Sequence, residues 1–293
     1  MGKLDGKVAL VTGAGGGLGR AHAHLLATEG AAVVVNDLGG ARDGTGGSAS
    51  MADQVVNEIR AKGGKAAADY GSVADPAAAA KMVQVAVDSF GKLDILINNA
   101  GILRDKSFKK MTDDQWDAVV NVHLRGTYLV TKAAWDQFLK QGTGGRIINT
   151  SSTSGLIGNF GQANYGAAKA GIAGFTRVLA LEGAKSGITV NTLAPAALSR
   201  LTEDVMPQNE QIAVALAPEK VSPAVVWLCT DEAKGITGRQ FCIRGNRVAL
   251  LSWQVTEIAE RDAAEDEWSV DEIGNRILAS MGSWPKLLSP MEV

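Results

Sequence analysis

Seven short runs of apolar, largely β-branched residues recur along the chain, separated by longer amphipathic stretches. They are "KVALVT" (7–12), "AVVVND" (32–37), "KAAAD" (65–69), "LDILIN" (93–98), "RIINT" (146–150), "ITVNTL" (188–193) and "RQFCI" (239–243). Several show little apolar–polar alternation, as parallel strands covered on both faces require. The stretches between carry helix signals: Asp75 before Pro76, and Thr112 with Gln115 as a capping box. Repeated strand–helix alternation predicts an α/β fold, a doubly wound parallel sheet, with ligands beyond the carboxyl ends of its strands. The pattern runs over residues 1–245 as one domain. The polar tail 246–293, with tryptophans at 253, 268 and 284, is an extension expected to pack on the domain or on a partner subunit.

Charge and cysteine usage narrow the partners. Lys and Arg number 29 against 31 Asp and Glu, a net charge of −2, so there is no basic footprint for nucleic acid or an anionic membrane. A small molecule is the expected partner. Cys229 and Cys242 form no metal or redox spacing and suit a reducing compartment. The opening "MGKLDGKVALVTG" reads as a strand rather than a signal peptide. No segment is long and apolar enough to span a bilayer. The closing "MEV" is not a peroxisomal Ser-Lys-Leu signal. The expected location is cytoplasmic.

"TGAGGGLGRA" (12–21) follows the first strand and opens the first helix. Glycines there permit a tight turn and close approach of backbone amides to a pyrophosphate at a helix N-terminus. The spacing is T-G-x-x-x-G-x-G on Thr12, Gly13, Gly17 and Gly19. Asp37 ends the second strand, 20 residues after Gly17, where a carboxylate accepts the adenosine ribose hydroxyls and repels a 2′-phosphate. The expected cofactor is therefore NAD. The polar loop "GGARDGTGGSAS" (39–50) that follows fits either disorder or a packed functional loop. "NNAG" (98–101) closes the fourth strand with small residues that let the chain pass near a cofactor.

Tyr165 and Lys169 in "YGAAK" stand at i and i+4, on one helix face. A phenol titrates near 10 and is a poor base at neutral pH; a nearby ammonium favours the phenolate. Ser152, 13 residues before Tyr165, offers a hydroxyl to a substrate oxygen as charge develops on it. Asn121 is a polar residue inside an apolar helical stretch. It is either a satisfied amide or a helix kink whose freed carbonyl holds a water leading to Lys169. His22 and His24 do not face one another, and no carboxylate cluster completes a metal site. His123 is assigned to packing or surface, and Arg104, Lys106, Lys109 and Lys110 to a solvated loop, with contact to CoA phosphates as the minority alternative.

These motifs, in this order and spacing, resemble the short-chain dehydrogenase/reductase superfamily from about residue 5 to 245. The resemblance implies a Rossmann fold. It makes Tyr165 the general acid/base, Lys169 the group that lowers its pKa and binds the nicotinamide ribose, Ser152 the substrate-orienting hydroxyl and Asn121 the end of a proton relay. It carries cofactor contacts onto Gly13, Gly17, Leu18, Gly19, Asp37, Asp69, Ser72, Asn98, Ala100, Gly101, Tyr165, Lys169 and Pro195. For the adenine contact the segment "ADYGSV" (68–73) is ambiguous: Asp69 fits the superfamily, whereas closer relatives place the aspartate at Gly71.

"VVVNDLGGARDG", "NNAGILRDKSF", "VHLRGTY", "GNFGQANYGAAK" and "NTLAPAALSRLT" are similar to a narrower group, the (3R)-hydroxyacyl-CoA dehydrogenase regions of type 2 peroxisomal multifunctional enzymes and related bacterial proteins. This implies NAD-dependent oxidation of a (3R)-3-hydroxyacyl-CoA, fatty or sterol-derived, to the 3-oxoacyl-CoA. It also implies a homodimer or homotetramer, and hydration by a separate enoyl-CoA hydratase. One departure concerns the pocket: Ala196 replaces the usual glycine after Pro195, while P-x-A-x-S-R-x-T is kept across Pro195, Ala197, Ser199, Arg200 and Thr202. Two other readings stay open: a dehydrogenase of hydroxysteroids or other secondary alcohols, and a non-catalytic NAD-binding sensor.

Overall fold

The computed structural model describes residues 2–197, 209–262, 267–286 and 288–289. Ser199, Arg200 and Thr202 of the P-x-A-x-S-R-x-T stretch lie outside the described residues. Among the described residues the elements run β1 (Val8–Thr12), α1 (Gly17–Thr28), β2 (Ala32–Asn36), α2 (Ser50–Ala61), β3 (Ala66–Asp69), α3 (Pro76–Phe90), β4 (Ile95–Asn98), α4 (Asp113–Val120), α5 (Gly126–Gln141) and β5 (Gly145–Thr150). They continue with α6 (Thr153–Leu156), α7 (Ala163–Glu182), β6 (Ile188–Ala196), α8 (Glu210–Ala215), α9 (Ser222–Leu228), β7 (Gln240–Arg244), β8 (Arg247–Leu251) and α10 (Val270–Ser280).

The strands form one sheet in the order β3-β2-β1-β4-β5-β6-β7-β8, parallel except for the antiparallel pair β7–β8. Burial on both faces explains why the early strands lack alternation. In β1, Val8 and Leu10 enter one apolar layer with Met82 of α3 and Phe138 of α5, while Ala9 and Val11 enter the other with Leu26 of α1 and Val55 of α2. Each strand residue points to the opposite face from its neighbour, and both faces meet helices. The strand order reverses between β1 and β4, which opens a crevice above their carboxyl ends.

Local chemistry sets the helix ends. Asp75 accepts the Ala78 amide at 2.7 Å ahead of Pro76, and Gly91 closes α3 at φ +84°. Thr112 and Gln115 make the reciprocal capping box at the start of α4. Thr112→Ala should destabilise the fold by about 1 kcal/mol, a loss that urea denaturation would register as a lower midpoint with an unchanged slope.

The eighth strand is new relative to the sequence reading, which ended the domain at residue 245. Gly245 and Asn246 form a two-residue turn between paired Arg244 and Arg247, with Gly245 at φ +54°. The first residues of the extension thus complete the sheet. At the loop after β2 the Leu103 amide donates to the Arg42 carbonyl at 3.1 Å and Arg104 Nε to the Asp43 carbonyl at 2.9 Å, while residues 43–50 are exposed. Among the described residues no helix is long and apolar enough to cross a membrane.

Candidate active site

The crevice at the reversal point is lined by the glycine loop, the end of β2, the loop after it and the end of β4. Gly13 has φ +63°, and a Cβ there would lie 2.7 Å from Ala100 Cα, so only glycine fits between the two strand ends. Thr12 Oγ1 accepts the Asn99 and Ala100 amides at 3.0 and 3.1 Å, and Asn99 Nδ2 returns bonds to the carbonyls of Thr12 and Gly13 at 3.1 and 3.0 Å. The loop that would hold a phosphate is therefore laced to β4. It leads into the N-terminus of α1, whose first amides have no intrahelical partner.

Of the residues singled out for a cofactor, Gly13, Gly17, Leu18, Asp37, Ser72, Ala100 and Gly101 line the crevice. Asp37 is nearly buried, accepting the Gly15 amide on Oδ2 and the Gly39 amide on Oδ1, each at 2.7 Å. A carboxylate has about four lone-pair sites, so these two bonds orient it and leave acceptor capacity. Gly19, Asp69, Asn98 and Pro195 do not line the crevice. Gly19 is buried in α1, where a Cβ would meet the Gly13 carbonyl oxygen at 2.3 Å. Asp69 is buried behind the crevice, where its Oδ1 accepts Asn36 Nδ2 at 2.7 Å and the Gly71 amide at 2.9 Å. Asn98 lies beneath the floor, donating to Thr131 Oγ1 and Asn149 Oδ1, both at 2.8 Å. Pro195 lies one residue before the end of β6, opposite Ile243. Asn99 does line the crevice, although the sequence reading singled out its neighbour; nothing in a lone "NN" pair says which amide turns inward.

The residues expected to react gather beside the crevice. Tyr165 and Lys169 share a face of α7, with Lys169 Nζ 5.4 Å from the tyrosine ring centroid and donating to the Thr150 carbonyl at 2.5 Å. Ser152 caps α6, where its Oγ accepts the Ser154 amide at 3.1 Å and hydrogen-bonds Tyr165. His123 is buried rather than at the surface. Its ring meets Tyr165 edge-on at 5.1 Å, and Nε2 lies 2.8 Å from the Ile102 carbonyl oxygen. A Cβ on Gly101 would sit 2.2 Å from His123 Cε1. The crevice wall, the imidazole and the phenol are thus in direct succession.

Asn121 begins a π-helical turn, Asn121–Arg125, between α4 and α5. Its carbonyl is not freed outright, because the Gly126 amide donates to it across the wider turn. A carbonyl has two lone pairs, so one stays open to a second donor. Such turns inside α-helices concentrate at functional sites.

The electrostatics differ from the sequence expectation in one respect. Burial pushes the Tyr165 phenol up to about 12; the Ser152 hydrogen bond works against this, and the Asp105 charge adds to it. Lys169 does not pull the phenol down in this state, since burial draws its own ammonium down to about 7. His123 is held well below the usual imidazole value, first by burial and then by Lys169.

Of the basic run, Lys106, Lys109 and Lys110 are exposed. His22 is buried with Nδ1 2.8 Å from Ser222 Oγ, and His24 Nε2 lies 2.8 Å from Glu58 Oε2. Among the described residues no group of His, Cys, Asp and Glu is arranged to hold a metal.

Comparison with known proteins follows the same lines. The short chain dehydrogenase family profile matches residues 7–213. Peroxisomal multifunctional enzyme type 2 of Mus musculus is 53% identical over 87% of this chain, which spans only 34% of that longer protein. A putative short-chain type dehydrogenase/reductase of Mycobacterium tuberculosis is 55% identical over 78% of this chain and 79% of its own length. A hydroxyacyl-CoA dehydrogenase of the same organism is 42% identical over 85% of this chain and 80% of its own. Among solved structures, a short chain dehydrogenase from Mycobacterium avium covers 98% of both chains at 44% identity and a TM-score of 0.84. One from Mycobacterium paratuberculosis bound to NAD covers 83% of this chain and 98% of its own at 28% identity and a TM-score of 0.75.

Proposed function

We propose that this chain, which belongs to the short chain dehydrogenase family, oxidises a (3R)-3-hydroxyacyl-CoA to the 3-oxoacyl-CoA with NAD. The observation that carries the chemistry is the Ser152–Tyr165–Lys169 cluster set against the glycine-lined crevice. The acyl-CoA substrate is supported by likeness to the hydroxyacyl-CoA dehydrogenase and to the multifunctional enzyme.

The residues present fit a dinucleotide. Gly13 lets the turn close tightly against Ala100, the α1 N-terminus faces the crevice, and Asp37 stands at the adenosine end with capacity to accept ribose hydroxyls. Gly13, Gly17 and Leu18 would hold the pyrophosphate, Asp37 the ribose, and Ser72 the adenine side. When bound, the cofactor supplies the hydride acceptor. The protein supplies the rest. Tyr165 takes the hydroxyl proton of the substrate as the C–H bond gives up its hydride, and Ser152 donates to the substrate oxygen. Lys169 binds the nicotinamide ribose and, once charged, favours the phenolate. The open lone pair of the Asn121 carbonyl would hold a water next to Lys169, and the proton that Tyr165 takes leaves through the Lys169 ammonium and that water.

The chain works as a cytoplasmic homodimer or homotetramer. Leu139 on α5 and Val178 and Leu181 on α7 are exposed, as a subunit contact would use, and the tail beyond residue 251 leaves Trp253, Val255 and Leu278 exposed, apolar surface for a partner subunit rather than for the domain. A separate enoyl-CoA hydratase supplies the 3-hydroxyacyl-CoA.

The rival substrate is a steroid alcohol, since one fold serves many alcohols. A straight-chain 3-hydroxyacyl-CoA and a hydroxysteroid, each assayed with NAD, should differ by about 10²-fold or more in kcat/KM in favour of the thioester. The reverse order would give the site to the steroid and leave its acid–base chemistry standing.

A further inference from the structure

One half-buried carboxylate near the phenol has no part in the scheme above. Asp105 sits in the loop after β4, and its Oδ2 accepts Gln162 Nε2 at 2.7 Å, while Oδ1 is buried with no partner among the described residues. A buried, unpaired carboxylate oxygen costs stability, so packing alone does not account for an acid there.

Its contacts lead to the reacting groups. An ionised carboxylate only accepts, so the NH2 end of Gln162 must face Asp105 and its Oε1 must face away. That oxygen accepts Ser154 Oγ at 2.7 Å and Asn159 Nδ2 at 3.0 Å. The Ser154 amide in turn donates to Ser152 Oγ at 3.1 Å. A serine hydroxyl has a single proton, so Ser152, already accepting from Ser154, keeps that proton for Tyr165 or a substrate oxygen. The loop is itself pinned to α7: buried Asn164 donates to the Arg104 carbonyl at 3.1 Å, and Lys106 bridges to Gln162.

We infer that Asp105 is a positioning residue for this site: through Gln162 and Ser154 it sets the Ser152 hydroxyl, and it stands as a fixed negative charge beside Tyr165. The inference rests on the assignment of Ser152 and Tyr165 as reacting groups. Among the described residues the other charged or titratable groups in contact with the phenol ring are Lys169 from its own helix and His123 from the π turn. Arg104 is turned to the Asp43 carbonyl and Lys106 is exposed, so neither neutralises Asp105 at close range.

The test uses the full chain with Tyr70→Phe and Tyr128→Phe, which leaves Tyr165 as its only tyrosine. Tyrosinate absorbance is read within milliseconds of a pH jump, before alkaline unfolding. Asp105→Asn keeps an acceptor for Gln162 but removes the charge, and should lower the midpoint by about one pH unit. Asp105→Ala removes the acceptor as well. In the otherwise native chain it should lower kcat about 10- to 100-fold with KM for NAD unchanged, and Asp105→Asn should recover most of that loss. An unmoved midpoint in Asp105→Asn, or wild-type kcat in Asp105→Ala, would overturn the inference. Should even the wild type oxidise no 3-hydroxyacyl-CoA, the titration still decides the role of Asp105, so the two failures are told apart.

Discussion

Tyr165→Phe is expected to lower turnover about 10³-fold while NADH affinity stays within about twofold. The substitution removes one oxygen and keeps the ring that packs edge-on against His123, so the crevice wall and α7 are left in place. What is lost is the group that exchanges the proton. The pH dependence follows from the same assignment. Burial raises the phenol to about 12, and oxidation needs it deprotonated, so kcat/KM for oxidation should rise with pH through the neutral and alkaline range. Reduction needs the protonated phenol, so it should stay level below the phenol midpoint and fall only as the pH passes through it. A bound nicotinamide and a charged Lys169 move the midpoint downward without changing either sign. Fluorescence titration with NADH alongside steady-state kinetics separates an enzyme from a binder. Turnover of the variant within tenfold of wild type would remove Tyr165 from the chemistry.

The second large effect concerns cofactor choice. Asp37→Asn removes a charge while keeping an oxygen that can accept from Gly15 or Gly39. It should raise kcat/KM for NADP relative to NAD by about 10- to 100-fold, because the carboxylate no longer repels a 2′-phosphate. The ratio of the two kcat/KM values is the measurement. A ratio unchanged by the substitution would mean that another residue sets the preference, and Arg42, which lines the same crevice, would be examined next.

The parts of this molecule that were legible in the sequence are those governed by local chemistry. The parallel strands announce themselves because burial on both faces suppresses alternation, and the capping residues Asp75 and Thr112 act within four residues of themselves. β8 was missed although "GN" is a hairpin signal, because Arg247 and the exposed Val248 and Leu250 make an edge strand that resembles a polar tail. Spacing placed Tyr165 and Lys169 together and set Ser152 beside them. It could not show that Asn98 turns beneath the floor while Asn99 turns into the crevice, since that depends on which face of a strand end meets Thr131 and Asn149. Nor could it show the direction of the Tyr165 shift. A Y-x-x-x-K spacing reports an ammonium nearby, whereas the opposing desolvation arises only when α4, α6 and α7 close around the phenol. Asp105 carries no signal of a role within "ILRDKSF", and only its contact with Gln162 assigns one.

The measurement that bears most directly on the proposed reaction is NADH formation by the purified full chain with NAD and matched (3R)- and (3S)-3-hydroxyacyl-CoA esters of several chain lengths. Turnover confined to the 3R series is the predicted result, and its dependence on chain length would map the acyl pocket. Turnover confined to the 3S series, or none with either, would contradict the assigned substrate.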